Sequence, residues 1–352
     1  CHSDREDVPE LGYSICEEKG YLVDVLQPII DARDEIKAEI KQESQRDNPD
    51  QQRLDAVEGR SSALKWILVA CFGYQGFSNA KFGRIECHEA INAFAREILL
   101  EAKDQLENGG WRVVHGIVDS IWVTPAPSVD DGQRMPLDIL AREISETVDI
   151  RLEHEAHYQW VAFVPQRNSD TGALTKYFGS VAGRDEFKLR GIEARQRSTP
   201  PFIETIQRRC IEQLDRTRDP EDVLAVLRGA IRQLHAGDVS TDHLVERNRI
   251  SKPLSEYTQY TQNVAALERA TEQGLAVHPG EDIEYVVVDD KKSSRDCVEL
   301  AHEVADNYDP AYYETQLLRA VESVLSPLGW ERADIRTALA DTDSETLLSF
   351  TG

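Results

Sequence analysis

The residues from Ser61 to Val123 constrain the fold most, because four different local patterns follow one another there. An apolar segment with a single lysine, Lys65, leads to a glycine break at 73–76, then to a long amphipathic segment, and then to a tight turn that carries Asp119. Helical spacing of the apolar residues predicts that the amphipathic segment is a helix from about Glu86 to Glu107. The alternation of apolar and polar residues after it predicts a β-hairpin. This order predicts that a lysine and a carboxylate are brought to one place.

Two runs within this stretch, 65–73 (KWILVACFG) and 115–120 (HGIVDS), carry a resemblance to a known family. They resemble, without gaps, the K-x-x-x-N-S-x-Y-G helix and the Y-G-D-T-D-S hairpin of family B DNA polymerases. Val69 and Ala70 stand at the Asn-Ser positions, so the hydrogen bonds of that polar pair are absent. Phe72 replaces the tyrosine but keeps an aromatic ring. In the hairpin, Asp119 stands at the second aspartate and Ile117 at the first.

Apolar periodicity predicts a helix from Leu22 to about Arg46 and another from about Arg53 to Phe72, which continues into this stretch. Two helices joined by a polar turn form an antiparallel hairpin, as in the fingers of the resembled family. The resemblance implies an α+β fold with helical-hairpin fingers, an antiparallel-sheet palm and a mostly helical thumb, without the N-terminal and exonuclease domains. We place a segment leading into the palm at 1–23, the fingers at 24–80, the palm at 81–199 and the thumb at 200–352.

The first predicted helix carries two cations four residues apart, Arg33 and Lys37, which therefore share one face. The resemblance implies that these two and Lys65 hold the triphosphate of a nucleotide. It also implies that Phe72 and Gly73 lie against the nascent base pair, because glycine permits close approach to the backbone. The alternative for Arg33 and Lys37 is pairing with neighbouring acids on a solvated helix face.

The resemblance implies a role for Asp119 in nucleotidyl transfer, as one ligand of a site for two Mg²⁺ ions. The family's other metal-binding carboxylate belongs to a D-x-x-S-L-Y-P motif before the fingers, and this sequence does not contain that motif. We therefore expect it upstream of Cys1, in a fused or separate N-terminal portion, because the sequence starts without methionine inside a loop-like segment. The alternative is that Asp119 caps its own turn.

Two further runs lie after a helix that Met135-Pro136 is predicted to begin. Residues 175–179 (TKYFG) resemble the K-K-x-Y segment with which the family holds the primer end, and 188–195 (KLRGIEAR) resemble its K-x-R-G-I-E-x-R segment. The resemblance implies contacts of primer-template DNA with Lys176, Tyr177, Lys188, Arg190 and Arg195. The alternative for the cations at 188, 190, 195 and 197 is that the arginines pair with nearby acids.

Local patterns predict the other elements of the second half. We expect a strand from Tyr158 to Pro165, a turn over Asn168–Gly172 and a returning strand from Ala173 to Val181. His154 and His157 are three residues apart, which does not fit the H-E-x-x-H zinc motif, so we interpret them as a helix end. After Pro200 the pattern is mainly helical, and Tyr308-Asp309-Pro310 is predicted to begin the last long helix.

Composition bears on these hypotheses through charge. The formal net charge is −24, which is the wrong sign for a nucleic-acid binder unless cations cluster locally, as they do at 188–197. The acidic, lysine-poor composition equally fits a salt-rich cytoplasm or an ordinary acidic protein. The sequence contains neither an apolar run long enough for a membrane span nor a signal-peptide pattern, so we expect a cytoplasmic protein.

Six cysteines form no C-x-x-C pair, which argues against a structural zinc site. Cys1 and Cys16 flank a short loop in which some archaeal polymerases of the resembled family have a disulfide, and free thiols are the alternative.

We weigh three functions. The first is a DNA-directed DNA polymerase, with primer-template DNA and dNTP as partners and an N-terminal portion supplying the second aspartate. The second is a catalytically disabled relative that binds DNA as an accessory protein, because Ile117, Val69 and Ala70 depart from the motifs. The third, an acidic helical scaffold, does not explain the order of the motifs.

Overall fold

The computed structural model describes residues 5–16, 18–46, 48–303 and 306–349. It combines helices with small antiparallel sheets, so the predicted α+β class is confirmed. The chain divides into two compact units, Cys1–His154 and Glu155–Gly352, which are described separately below. The domain boundaries expected from the sequence remain predictions.

The first unit contains four helices and two small hairpins within its described residues. Its elements are β1 (Arg5–Asp7), β2 (Ser14–Cys16), α1 (Tyr21–Ser44), α2 (Gln51–Gln75), α3 (Ile85–Asn108), β3 (Trp111–Ile117), β4 (Ser120–Pro125) and α4 (Leu137–Val148). The predicted helical hairpin and β-hairpin are both present, with ends within a few residues of those expected. For residues 1–22 the sequence predicts a loop that leads into a short structured segment, and the described part of this range contains the antiparallel pair β1 and β2.

Polar contacts fix the turn between α1 and α2. The Asp50 side chain caps α2 by accepting a hydrogen bond from the Arg53 amide at 3.1 Å. Glu43 is buried near the end of α1, accepts from the Asp50 amide at 3.2 Å and pairs with Arg46 at 2.9 Å. Arg53 also reaches back to Glu39 on α1 at 2.7 Å. These contacts hold the two helices antiparallel.

A small apolar core positions the β-hairpin. Ala102 and Leu106 of α3 pack with Leu140 and Ile144 of α4, and the inward side chains of β3 and β4 cover them. Gly109 allows this packing, because a Cβ there would lie 2.6 Å from a methyl group of Leu140. The hairpin therefore extends from a packed base formed by α3 and α4.

The second unit contains two three-stranded sheets and five helices within its described residues. Its elements are β5 (Tyr158–Gln166), β6 (Ser169–Val181), β7 (Phe187–Arg190), α5 (Pro201–Thr217), α6 (Pro220–Ala236), β8 (Glu246–Arg249), α7 (Gln262–Glu272), β9 (Asp282–Val287), β10 (Val298–Leu300), α8 (Pro310–Leu325) and α9 (Arg332–Ser349). The strand orders are β5-β6-β7 and β10-β9-β8, all antiparallel. One large core, which includes Phe178, Leu227, Tyr285, Leu317 and Val321, joins the sheets to the helices.

Three local expectations for this region were wrong. Gln166 pairs with Ser169, so the β5–β6 turn is shorter than expected and β6 begins inside the predicted turn. His154 and His157 do not end a helix, because α4 stops at Val148 and residues 151–157 are irregular. The helix that begins at Pro310 is not the last long one, since α9 follows it.

Cysteine pairing and membrane insertion can be addressed for the described residues. Cys16 is disulfide-bonded, so the free-thiol alternative does not hold for it, and Cys1 lies outside the described residues. Cys71, Cys87, Cys210 and Cys297 are free thiols. Across the described ranges, none of the helices combines the length and the apolar character that crossing a bilayer requires.

Candidate functional site

The C-terminal half of α2 presents an uncovered face that is rich in apolar side chains. Leu54 and Val57 are buried in its first half, whereas Trp66 is 74% and Val69 56% exposed. Lys65 is exposed on the same half of the helix. Within this unit, α2 therefore offers a lysine beside apolar surface rather than a buried core face.

Phe72 and Gly73 lie at the end of this face. The Phe72 ring stacks on the imidazole of His88 from α3, with ring centroids 4.3 Å apart. A Cβ at Gly73 would meet nothing within 4 Å, so the space beside this backbone is open in the unit. His88 was not singled out from the sequence, because a histidine in an amphipathic helix gives no local signal of what it contacts.

The three cations of the helical hairpin differ in their pairing. Lys37 pairs with Asp34 at 3.1 Å, as the solvated-face alternative predicted. The Nε of Arg33 is buried and has no hydrogen-bond partner. Among the residues that the structure describes, neither Arg33 nor Lys65 has an acidic partner within 4.0 Å. Arg33 and Lys65 are therefore unpaired within this set, whereas Lys37 forms an ion pair.

The tip of the β-hairpin is exposed and strained. Val118 has a φ of 52° and is 78% exposed, and a β-branched side chain is rarely found in this left-handed region. Asp119 follows it, is exposed, and accepts a hydrogen bond from the Ser120 hydroxyl at 3.3 Å. This contact comes from a side chain rather than from a turn amide. The carboxylate is thus open to solvent on a constrained two-residue turn.

The described residues do not by themselves form a magnesium site. They contain no group of three or more His, Cys, Asp or Glu side chains placed to hold a metal ion. Ile117, paired with Ser120 across the hairpin, supplies no second carboxylate beside Asp119. Any ion at Asp119 would need further ligands from outside this set.

The two cationic motif runs of the second unit lie on neighbouring strands. Tyr177 on β6 pairs with Arg190 on β7, and Gly179 pairs with Lys188. A Cβ at Gly191, which follows β7 with a φ of +63°, would lie 2.2 Å from the Thr175 carbonyl oxygen. The glycine of the second run therefore allows the chain to turn closely over the first.

The predicted DNA-contacting residues are in different environments. Lys188 donates to Glu155 at 2.7 Å, and this hydrogen bond lowers the pKa of the Glu155 carboxyl. Arg190 and Arg195 are exposed and have no ion-pair partner within 4.0 Å in the described part of the chain. The Tyr177 ring is 7% exposed and packs against Phe163. The arginine-pairing alternative thus does not hold for Arg190 and Arg195, but it holds for Arg197, which pairs with Asp282 at 3.1 Å.

Lys176 lies beside a buried acid that the sequence did not reveal as part of a site. Its Nζ is 3.8 Å from the Oε1 of Glu193, which lies in the turn after β7. Glu193 is 4% exposed, and no hydrogen bond reaches this oxygen.

Comparisons with known proteins point to one family. The model of DNA polymerase family B matches residues 4–328. The chain is similar to the DNA polymerase of Pyrococcus glycovorans, with 26% identity over 337 residues that cover 93% of this chain and 42% of that protein. DNA polymerase 2 of Saccharolobus solfataricus is 32% identical over 179 residues, covering 51% of this chain and 24% of its own length.

A solved structure agrees with this family at the level of the fold. The family B DNA polymerase from Pyrobaculum calidifontis superposes with a TM-score of 0.55 and 22% identity, over 92% of this chain and 40% of that one. The chain thus spans less than half the length of these relatives.

Proposed function

Because the chain belongs to DNA polymerase family B, we propose that it forms the fingers, the palm hairpin and the thumb of a DNA-directed DNA polymerase. In this proposal residues 24–80 are the fingers, 81–199 belong to the palm and 200–352 form the thumb. The substrates are a primer-template and a dNTP, and the reaction transfers a nucleotide to the primer 3′-hydroxyl.

The observation that carries the proposal is the state of Arg33 and Lys65. The chain has 64 acidic and 40 basic side chains, so an available cation readily finds an acid. These two nevertheless lack an acidic partner among the described residues, and they lie on the two packed helices of one hairpin. Unpaired cations on such a hairpin are suited to a triphosphate. Lys37 also binds the triphosphate once its ammonium group leaves the Asp34 carboxylate.

Asp119 is proposed as the catalytic carboxylate of this chain and as one ligand of magnesium. Its exposure on the hairpin tip favours this role over a purely structural one. The remaining ligands would come from an N-terminal portion that is fused or separate. Phe72 and Gly73 are proposed to face the nascent base pair, since the ring is fixed by His88 and the space beside the glycine is open.

The strands β6 and β7 are proposed to hold the primer-template. Lys176, Lys188, Arg190 and Arg195 supply the phosphate contacts. Tyr177, which shares a sheet face with Arg190, is buried and packs against Phe163. Contacts of this kind carry a salt-dependent affinity, because bound cations release counterions from the nucleic acid.

The second candidate function is a DNA-binding protein that does not extend primers. It is favoured by Ile117 beside Asp119 and by the apolar Val69 and Ala70 on the lysine helix. It predicts binding of primer-template without nucleotide incorporation.

Primer extension by the complete gene product separates the two functions. Asp119→Asn should abolish extension and leave the free energy of unfolding within about 0.5 kcal/mol of wild type, because the side chain is exposed. The matched control is Asp130→Asn, an exposed acid in the loop after β4, which should extend normally. Extension that survives Asp119→Asn removes this residue from the mechanism. A folded wild type that binds DNA without extending it favours the second function.

A further inference from the structure

A buried carboxylate lies beneath the surface cations of the second unit. The Oε2 of Glu193 accepts a hydrogen bond from Gln207 of α5 at 2.9 Å. Gln207 also donates to the Ala320 carbonyl of α8 at 2.7 Å and accepts from the Ala194 amide at 2.6 Å. Glu193 is therefore held in one position by the turn that carries it and by two helices.

Two cations approach the other oxygen of this carboxylate without forming hydrogen bonds to it. The Nζ of Lys176 lies 3.8 Å and the Nε of Arg319 3.6 Å from Oε1, and no hydrogen bond satisfies this oxygen. The N–H groups of Lys176 and Arg319 therefore do not form hydrogen bonds to Glu193 and remain able to donate to another acceptor. Among the described residues, Arg319 also has no hydrogen bond elsewhere.

The charges of this cluster do not cancel. One carboxylate faces two cations, so the group carries a net charge of about +1 in a strongly acidic chain. The carboxylate is buried, whereas the side chains of Lys176 and Arg319 are 35% and 51% exposed. The excess positive charge therefore faces solvent and the negative charge lies beneath it.

We infer that Arg319 and Lys176 form a phosphate-binding pair that Glu193 holds in position, and that Arg319 is a further contact to the backbone of the primer-template. The inference rests on the proposed function, which places Lys176 at the DNA. The guanidinium of arginine presents several donors in a plane that matches phosphate oxygens. Glu193 acts here as a positioning residue.

A phosphodiester backbone fits this pair better than a free phosphate. Lys176 lies on β6 one residue before Tyr177, which pairs with Arg190 of β7, so side-chain alternation places Lys176 on the sheet face opposite Arg190 and Lys188. The proposed contacts are thus several separated cations on both faces of the strand pair, which suits the repeated charges of a nucleic acid better than a single free phosphate. Arg319 adds a helix residue on the Lys176 side, which the motifs did not reveal.

Salt-dependent binding of a fluorescent primer-template tests the inference. Arg319→Ala should weaken binding severalfold at low salt and reduce the slope of log K against log salt by about 1, as expected for one lost phosphate contact. Arg319→Lys should restore most of the slope because it keeps the charge. The control is Arg295→Ala, an arginine of similar exposure that pairs with Glu272, and it should leave the slope unchanged.

Each outcome decides the inference. An Arg319→Ala slope equal to wild type, with Lys176→Ala reduced, overturns the role of Arg319 and leaves the proposed function intact. No binding by wild type even at low salt overturns both. Selective competition by millimolar inorganic phosphate at constant ionic strength, lost in Arg319→Ala, identifies a free-phosphate site instead. If Arg319→Ala does not fold, the neutral Arg319→Gln is measured in its place with the same criteria.

Discussion

The imidazole of His88 stacks on the phenyl ring of Phe72, with planes 27° apart and centroids 4.3 Å apart. The Nδ1 of His88 also lies 3.3 Å from the Phe72 carbonyl oxygen. Gly76 leaves room for the ring, because a Cβ there would be 3.1 Å from the imidazole. Helix α3 therefore fixes the end of α2 that presents Phe72.

We expect His88→Ala to weaken the apparent affinity for incoming dNTP by roughly twofold to tenfold, because a stacked ring pair contributes about 0.5–1.5 kcal/mol. Single-nucleotide incorporation measured against dNTP concentration gives this value. His88→Phe keeps a stacking ring and should retain near-normal affinity. Equal affinities for wild type and His88→Ala would show that the stack does not position Phe72 for the nucleotide.

The ion pair between Glu155 and Lys188 engages a lysine that is a proposed DNA contact. Its hydrogen bond is 2.7 Å long, and it holds the pKa of Glu155 below its ordinary value. We expect Glu155→Gln to raise the affinity for primer-template by roughly twofold to tenfold at low salt, because it frees the proposed phosphate contact Lys188 and removes a negative charge. Fluorescence anisotropy measures the dissociation constants.

The control for this charge change is Glu153→Gln, whose side chain pairs with Arg151 rather than with a proposed DNA contact. It should change the affinity much less than Glu155→Gln does. An equal gain for both variants would mean that total charge, and not the release of Lys188, controls binding.

Local patterns in the sequence predicted the elements better than the contacts between them. The ends of α1, α2 and α3 were close to those expected, because proline, glycine and capping residues mark helix ends locally. Neither proline nor glycine marks the end of α4 at Val148. The prediction that His154 and His157 form a helix end was therefore wrong. Helix α9 was missed because its acidic, polar sequence has no clear apolar periodicity.

Residues of the candidate site were predictable only where they belong to a short sequence motif. Asp119 and Lys65 follow from runs of adjacent residues. The approach of Arg319 to Glu193 and the stack of His88 on Phe72 join different elements, and periodicity contains no information on such pairs. The positive φ of Val118 was also unexpected, since a β-branched residue disfavours that conformation and only the hairpin register imposes it.

The buried Glu246 makes the stability of the second unit depend on pH. It accepts hydrogen bonds from Tyr312 at 2.6 Å and from Tyr285 at 3.2 Å, yet burial raises the pKa of its carboxyl. A carboxyl whose pKa is higher in the folded than in the unfolded state binds more protons when folded. Its contribution to stability is therefore greatest at acidic pH and declines as pH rises through the folded pKa.

We expect Glu246→Gln to remove this dependence. The free energy of unfolding of wild type minus that of the variant should fall as pH rises above the ordinary carboxyl pKa of 4.5, and chemical denaturation at several pH values measures it. Glu256→Gln, at an exposed position of the same unit, controls for the loss of one negative charge. A difference that stays constant with pH would contradict the role of burial at Glu246.

Glycine substitutions near β7 can show how closely residues 188–195 must approach residues 175–179. Gly191 and Gly183 have similar positive φ angles of +63° and +73°, but their surroundings differ. An added Cβ at Gly191 would lie 2.2 Å from the Thr175 carbonyl oxygen, whereas at Gly183 it would meet nothing within 4 Å. Gly183→Ala therefore introduces backbone strain alone, which costs about 1–2 kcal/mol.

Gly191→Ala adds to the same strain a clash that only separation of β6 from the turn relieves. We expect it to lose clearly more unfolding free energy than Gly183→Ala, measured by chemical denaturation. Because Arg190 and Arg195 flank this turn, Gly191→Ala should also flatten the salt dependence of primer-template binding, whereas Gly183→Ala should not. Equal stability losses in the two variants would mean that the chain relaxes around position 191 without moving the strands.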